Sequence, residues 1–128
     1  EDIWQAASGV PTLETALPLM LDAASRGQIT VEQIVSLMAE KPARWLNLYP
    51  RKGTLAPGSD ADLVILDPAA SWEIRGKDLL SKCRWTPFEG LRVKGRVERT
   101  MVRGRWVYAQ GTIMVRPGYG QGILDQEG

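Results

Sequence analysis

The sequence predicts an α+β fold, with helices in the first part of the chain and antiparallel strands in the rest. Up to about residue 48, apolar residues recur three and four positions apart, which is the spacing of one helix face. After residue 62, short apolar runs are separated by turns that contain glycine, a pattern typical of strands. The stretch from Gly53 to Pro68 divides these two parts. The chain has 128 residues, which corresponds to one domain or to a piece of a larger protein.

The first helix is predicted to run from Thr12 to about Ser25. Pro18 lies inside this apolar pattern and should kink the helix or delay its start, because proline lacks the N–H that a helix interior uses. Gly27 is well suited to cap the C-terminal end.

The second helix is predicted to begin at a capping box. Thr30 would cap the N-terminus while the side chain of Gln33 reaches back to the main chain. The apolar face continues to about Ala39, and Pro42 should stop the helix there, because the residue before a proline avoids the helical conformation. Pro42 can then open a short third helix that reaches Leu48.

The dividing stretch is predicted to contain a turn followed by a buried strand. Pro57 and Gly58 suit the centre of a type II turn, since proline presets φ and glycine accepts a positive φ. The continuous apolar run 63–66 is predicted to be a buried strand, and Asp67-Pro68 should end it.

The later strands are predicted from alternation and from turns. A short half-buried strand is expected over 71–75, followed by a long connection over 76–90. Connections of that length inside a compact domain are usually functional or packed against something else. Two strands are then expected over 91–104 and 105–111, joined by a turn at 103–104.

The composition excludes several kinds of chemistry. The chain contains no histidine, which removes histidine-based catalysis and nearly every zinc site. Cys83 is the single cysteine, so an internal disulfide is excluded and a reducing, cytoplasmic compartment is expected. A net charge of +1 and the lack of a long apolar run give no reason to expect nucleic acid or a membrane. The missing initiator methionine suggests a chain cut from a longer one.

The remaining residue types do not form a catalytic group. Cys83 could be a nucleophile, but there is no histidine to activate it, and Lys82 and Arg84 alone would do so weakly. Asp60 and Asp62 could be a carboxylate pair, yet their place before a strand favours turn residues. Charged residues on the helices and a basic run in the later strands are predicted to be solvated surface. These residues are Arg26, Glu32, Glu40, Arg44, Arg92, Lys94, Arg96, Arg99, Arg103 and Arg105.

Several segments together resemble the C-terminal part of cyclic amidohydrolases. They are Ser8–Leu21, Lys41–Arg44, Leu48–Gly53, the dividing stretch 53–68, Thr86–Gly90 and Val102–Tyr108. The resemblance runs from about residue 3 to about residue 111 and is strongest toward dihydroorotases, with allantoinases and hydantoinases close behind.

This resemblance implies a fold and a place in it for each part of the chain. Residues 1–50 would be the last loop and the closing helices of a (β/α)₈ barrel, and residues 51–116 would be antiparallel strands of a flanking β-sandwich. Residues 117–128 would form a flexible, extended tail. Relatives hold one or two zinc ions with histidines and usually a carboxylated lysine, and they use an aspartate as acid–base. All of these residues would precede this chain, so it is expected to contain no catalytic residue and no metal ligand and to bind no zinc itself.

The resemblance assigns one part of the substrate pocket to this chain. The loop Ser8–Thr12 lines the pocket in relatives, and Val10 and Pro11 are the positions carried over as substrate-binding. Thr12 departs from the family, where glycine is common, and its Cβ could narrow the pocket.

Three functions are compatible with these observations. The first is the C-terminal part of a zinc-dependent hydrolase of cyclic amides, above all a dihydroorotase of pyrimidine biosynthesis, inactive by itself. The second is a non-catalytic, dihydroorotase-like assembly module that binds a partner chain. The third and weakest is a small enzyme that uses Cys83. The expected partners are a small cyclic amide and either a second copy or a barrel-containing chain, because unpaired strands and apolar helix faces favour association.

Overall fold

The computed structural model describes residue 2 and residues 9–123, and within them the predicted α+β fold is confirmed. The helical elements are α1 (Ala16–Ser25), α2 (Val31–Val35), a π-helical turn (Ser36–Glu40), α3 (Lys41–Trp45) and a 3₁₀ turn (Gly76–Asp78). The strands are β1 (Leu63–Glu73), β2 (Arg92–Val102), β3 (Arg105–Ala109) and β4 (Thr112–Ile113). In the described part of the chain they form one sheet in the order β1-β2-β3-β4. The pairs β2–β3 and β3–β4 are antiparallel.

Helix α1 begins and ends where local chemistry requires. It begins at Ala16 instead of Thr12, and Pro18 then falls in the first turn, where a missing N–H leaves no hydrogen bond unmade. The predicted delay is therefore confirmed. At the other end Gly27 has a φ of 71°, and the N–H groups of Gly27 and Gln28 donate to carbonyls of the last turn at 2.9 and 3.0 Å. This is a Schellman cap, as glycine at this position predicted.

The chain stays helical from Val31 to Trp45, through α2, the π-helical turn and α3. The capping box at α2 is confirmed, since Gln33 N donates to Thr30 Oγ1 at 3.2 Å and Thr30 N donates to Gln33 Oε1 at 2.9 Å. The predicted stop before Pro42 is wrong, because the π-helical turn leads directly into α3. Pro42 lies in the first turn of α3, as predicted, and its missing N–H is tolerated there. Helix α3 ends at Trp45 and does not reach Leu48.

Strand β1 passes through the proline that was predicted to end it. It runs on to Glu73 and includes the stretch predicted as a separate strand over 71–75. Proline is tolerated because β1 is at an end of the described strand order, where one side of the strand needs no ladder donor. Asp67 Oδ1 also accepts the N–H groups of Ala69 and Ala70 at 2.8 and 3.2 Å, which satisfies the main chain just after Pro68.

The first part of β1 is not buried as predicted. Val64 and Ile65 are 49% and 45% exposed, since the described residues place little over them. The type II turn before the strand is confirmed: Ser59 N donates to Ala56 O at 3.0 Å and Gly58 has a φ of 91°. The apolar run thus predicted the strand correctly, but its predicted burial is wrong.

The hairpin of β2 and β3 has the predicted turn. Val102 pairs with Arg105, and the two residues between them both have positive φ, 49° at Arg103 and 74° at Gly104. Such a pair is typical of a two-residue hairpin, whose backbone twist matches that of the strands.

The chain divides into two compact units. The first contains the described residues up to Val35 together with Asp67–Arg96, and the second contains Ser36–Leu66 together with the described residues from Val97 onward. The first unit holds most of the buried apolar side chains, with Ile74 and Val93 fully enclosed. These side chains are Leu21, Ile34, Ile74, Leu79 and Val93. Among the described residues of the second unit, Ala43 is buried and apolar.

The predicted boundaries at residues 50 and 116 stay predictions. Residues 124–128 of the predicted tail lie outside the described residues. Earlier in the tail, Tyr119 is anchored: its hydroxyl donates to Val102 O at 2.9 Å, and its carbonyl accepts Arg103 Nη2 at 2.7 Å. No helix among the described residues is long and apolar enough to cross a membrane.

Candidate functional site

The predicted substrate-binding residues lie in an open loop before α1, in the first unit. Val10 is 54% exposed and Pro11 is half-buried. The loop ends in a tight turn, in which Thr12 O accepts the N–H groups of Thr15 and Ala16 at 3.0 and 2.9 Å. Ser8, the first residue of the predicted pocket loop, lies outside the described residues. The turn fixes the direction in which the loop leaves the helix.

The chemistry available in this loop is limited to main-chain groups and apolar side chains. In the described part of the chain, the main-chain groups of Gly9 and Val10 make no hydrogen bond, so they are available to a ligand. Residues 9–13 include no ionisable side chain, and Leu13 is 92% exposed. Residues 9–13 therefore offer main-chain hydrogen bonds and apolar contacts, and no side chain that could transfer a proton.

Glu14 ties this loop to a distant part of the first unit. Its Oε1 accepts the N–H and the hydroxyl of Ser81 at 2.6 and 2.7 Å, and its Oε2 accepts the N–H of Leu80 at 2.9 Å. Partial burial raises the pKa of Glu14, but the hydrogen bonds from Ser81 and Leu80 together outweigh it and leave the pKa lowered. Sequence reasoning missed this residue, because an acidic residue before a helix is ordinary and its partners are 66 and 67 positions away.

The connection 76–90, which Glu14 contacts, has its two ends joined by main-chain hydrogen bonds. Ile74 N donates to Leu91 O and Gly90 N donates to Ile74 O, both at 2.9 Å, across the ends of the connection 76–90. Glu89 Oε2 accepts Gly76 N at 2.7 Å inside this closure. The connection is thus packed and hydrogen-bonded, as its length suggested, and it gives Glu14 a fixed anchor.

Asp60 and Asp62 belong to an ion-pair cluster in the second unit. Lys52 Nζ lies 2.8 Å from Asp60 Oδ2 and also pairs with Asp62. Asp62 Oδ1 accepts the N–H of Arg103, at the hairpin turn, at 2.8 Å. The turn interpretation was incomplete, since these carboxylates hold Lys52 and the hairpin in addition to shaping the strand start.

The cluster changes the protonation of its members. Burial raises the pKa of Asp62, but the hydrogen bonds from Lys52 and Arg103 outweigh it and lower the pKa overall. Burial lowers the pKa of Lys52, and the two carboxylates raise it above its usual value. Both partners are therefore held in their charged forms, which favours a structural clasp over an acid or base poised near neutral pH.

The described residues contain no group of three or more His, Cys, Asp or Glu side chains that could hold a metal ion. Cys83 is exposed, and its Sγ lies 3.8 Å from Trp85 O. This contact of Cys83 is with a main-chain carbonyl, which cannot act as a base toward the thiol. The assignment of Val10 and Pro11 to substrate binding stays a prediction.

Comparisons with known proteins identify the family of this chain and agree with its fold. The sequence profile described as "Amidohydrolase family" matches residues 5–107. An L-hydantoinase of Paenarthrobacter aurescens is 42% identical over 122 residues, which are 94% of this chain and 27% of the relative. A dihydroorotase of Halobacterium salinarum is 50% identical over 112 residues, which are 88% of this chain and 26% of the relative.

A solved structure of an amidohydrolase relative also has the same fold over this part of its chain. The structure titled L-hydantoinase (dihydropyrimidinase) from Arthrobacter aurescens matches with a TM-score of 0.89 at 42% identity, over 94% of this chain and 27% of the other. The chain therefore spans about a quarter of the length of the curated relatives that it matches.

Proposed function

Because the chain belongs to the amidohydrolase family, we propose that it is the C-terminal portion of an enzyme that hydrolyses cyclic amides. The observation that carries this proposal is the agreement with a hydantoinase structure over nearly the whole chain, at a TM-score of 0.89. Relatives named dihydroorotase and relatives named hydantoinase both match. Both names refer to rings that contain an amide bond, so ring opening by water is the shared chemistry.

The contribution of this chain to that reaction is binding and orientation. The exposed loop with Val10 and Pro11 offers free main-chain groups to the amide of the ring and an apolar side chain to its carbon face. Such positioning can account for a large part of a rate enhancement, because it removes the entropy of bringing the reactants together. Thr12 ends the loop and is exposed, so its side chain can limit the size of the ring that fits.

The residues of this chain do not fit a zinc site. Zinc is held in proteins mainly by histidine and cysteine, whereas this chain has no histidine and one cysteine, and its described residues form no cluster of metal-binding side chains. We therefore expect zinc and the acid–base group to be held by other parts of the protein. By this proposal the 128-residue chain alone is inactive.

Dihydroorotate is the first substrate to test, with hydantoin as the second. The 50% identity to a dihydroorotase favours the first, and the 42% identity and close structural match to L-hydantoinases favour the second. Dihydroorotate carries a carboxylate that requires a cationic partner, and residues 9–13 contain none. That partner would come from elsewhere in the protein. Activity on dihydroorotate would support a role in pyrimidine biosynthesis, and we propose a cytoplasmic location from the reducing compartment that a single cysteine favours.

The alternative is an assembly module without activity. It is favoured by the exposure of Val64 and Ile65, two β-branched residues of a strand at an end of the described sheet order. In either case the proposed association is with a second copy or with a barrel-containing chain, and we propose no role for nucleic acid or a membrane.

One experiment separates these two functions. The intact mass of the protein is measured after purification from its source cells, together with its zinc content, and ring opening of dihydroorotate and hydantoin is assayed by absorbance. A mass several times 14.2 kDa, bound zinc and hydrolysis of either ring are expected, with no hydrolysis by the 128-residue chain. A long zinc protein that opens neither ring would refute the hydrolase, and a protein of about 14.2 kDa without zinc would support the assembly module.

A further inference from the structure

Glu14 connects the Val10–Pro11 loop with the connection 76–90 at a point where both sides are held. On the loop side, Thr15 is fully buried and its hydroxyl and N–H both donate to Thr12 O, at 3.2 and 3.0 Å. On the other side, the N–H groups of Leu80 and Ser81 point at the two carboxylate oxygens. The three hydrogen bonds are charge-assisted and 2.6–2.9 Å long, which makes them stronger than neutral ones.

We propose that Glu14 is a positioning residue, which fixes the substrate-binding loop by attaching the start of α1 to Leu80 and Ser81. This inference rests on the proposed function, because it assigns Glu14 a role in substrate binding. Glu14 lies three residues after Pro11, inside the turn that the Thr15 N–H and Thr12 O close. The carboxylate therefore holds the turn, and the turn holds the loop. Glu14 touches neither Val10 nor Pro11, so its effect on substrate is indirect.

The contacts predict a graded response to substitution. In Glu14→Ala all three hydrogen bonds are lost, and two main-chain N–H groups lose their acceptor. In Glu14→Gln the Oε1 contacts with Ser81 can persist, while an amide NH₂ meets the Leu80 N–H and cannot accept from it. In Ser81→Ala the hydroxyl contact alone is lost. Glu40→Ala is the matched control, since this half-exposed glutamate at the end of the π-helical turn pairs with Arg44 four residues later and lies outside the Glu14 contacts.

The test is steady-state kinetics of ring opening by the full-length protein that contains this chain. We expect Glu14→Ala to raise KM about tenfold while kcat changes less than about twofold, because loosening a binding loop weakens substrate binding without removing a reacting group. Glu14→Gln and Ser81→Ala should raise KM by about threefold, and Glu40→Ala should leave both constants unchanged. A structural defect alone would lower the active fraction, and hence the apparent kcat, without raising KM.

Two results would overturn the proposal. One is a wild-type KM in folded Glu14→Gln and Ser81→Ala together with a wild-type KM in Glu14→Ala. The other is a loss confined to kcat. If the protein opens no cyclic amide, the proposed function fails, and the attachment is tested in the same variants by the methyl order parameter of Val10 in NMR. A lower order parameter in Glu14→Ala than in Glu40→Ala supports the attachment, and equal values refute it.

Discussion

A methyl group added at Gly95 should disrupt the core of the first unit. Gly95 is buried in β2 and has a φ of 102°, a backbone conformation that side chains rarely adopt. A Cβ at this position would lie 2.5 Å from Leu21 Cβ and 3.2 Å from Leu21 Cδ1. The backbone cannot easily move away, because Gly95 O accepts the indole N–H of Trp72 at 3.0 Å. Gly95→Ala therefore combines a steric clash with backbone strain.

The expected loss is about 2–5 kcal/mol in the free energy of unfolding. Overfilling a packed core costs roughly 1–3 kcal/mol, and a left-handed conformation costs a residue with a Cβ roughly 1–2 kcal/mol. A domain of this size is stabilised by only about 5–15 kcal/mol. Gly95→Ala should consequently remove a large part of the stability.

Urea denaturation followed by tryptophan fluorescence measures this loss. Gly58→Ala is the matched control, since Gly58 has a similar φ of 91° but no heavy atom within 4 Å of the added Cβ. It should show only the strain, about 1–2 kcal/mol. A double-mutant cycle checks the clash: the losses of Gly95→Ala and Leu21→Gly should sum to more than the loss in the double variant, because Leu21→Gly removes the clashing Cβ. The losses of Gly95→Ala and Leu21→Ala should be closer to additive, because alanine keeps that Cβ. A loss in Gly95→Ala no larger than that in Gly58→Ala would refute the reasoning.

Two further predictions concern the second unit. Asp62 has a folded-state pKa below its ordinary value of 3.8, so its stabilisation is complete above that pH and is lost as the pH falls through the folded-state pKa. Asp62→Asn should lower the urea midpoint at neutral pH and flatten its decline toward about pH 2, and parallel curves for both proteins would contradict this. Tyr119→Phe removes one hydrogen bond to Val102, worth about 0.5–1.5 kcal/mol, and Tyr119→Ala also removes the ring that Arg103 and Arg105 cover. Limited proteolysis at 117–123 should accelerate slightly in Tyr119→Phe and strongly in Tyr119→Ala, and equal rates in all three proteins would show that Tyr119 does not hold this segment.

The features predicted correctly depend on residues close together in the chain. The Schellman cap at Gly27, the capping box of Thr30 and Gln33, and the turns at Gly58 and Gly104 each involve about four to six consecutive residues. Their conformations follow from allowed φ values and from side chains that satisfy the nearest main-chain groups. A sequence contains all of that information locally.

The errors and omissions concern partners that lie far away in the chain. Pro68 could continue a strand because β1 is at an end of the described sheet order, and no local pattern shows a place in a sheet. The exposure of Val64 and Ile65 likewise depends on what covers them. The role of Glu14 depends on Leu80 and Ser81, and only the folded chain brings those residues to its carboxylate.

The sequence by itself determined the order of helices and strands, their caps and turns, and, through its motifs, the resemblance to cyclic amidohydrolases. The lack of histidine also excluded a histidine-based catalytic site from this chain. The tertiary structure alone decided how the carboxylates are used: Glu14 accepts the Ser81 N–H, Glu89 accepts the Gly76 N–H and Asp62 accepts the Arg103 N–H of the hairpin turn. The physical reason is that a carboxylate accepts hydrogen bonds from any donor within about 3 Å, and its choice among them depends on distance in space and not on separation in sequence.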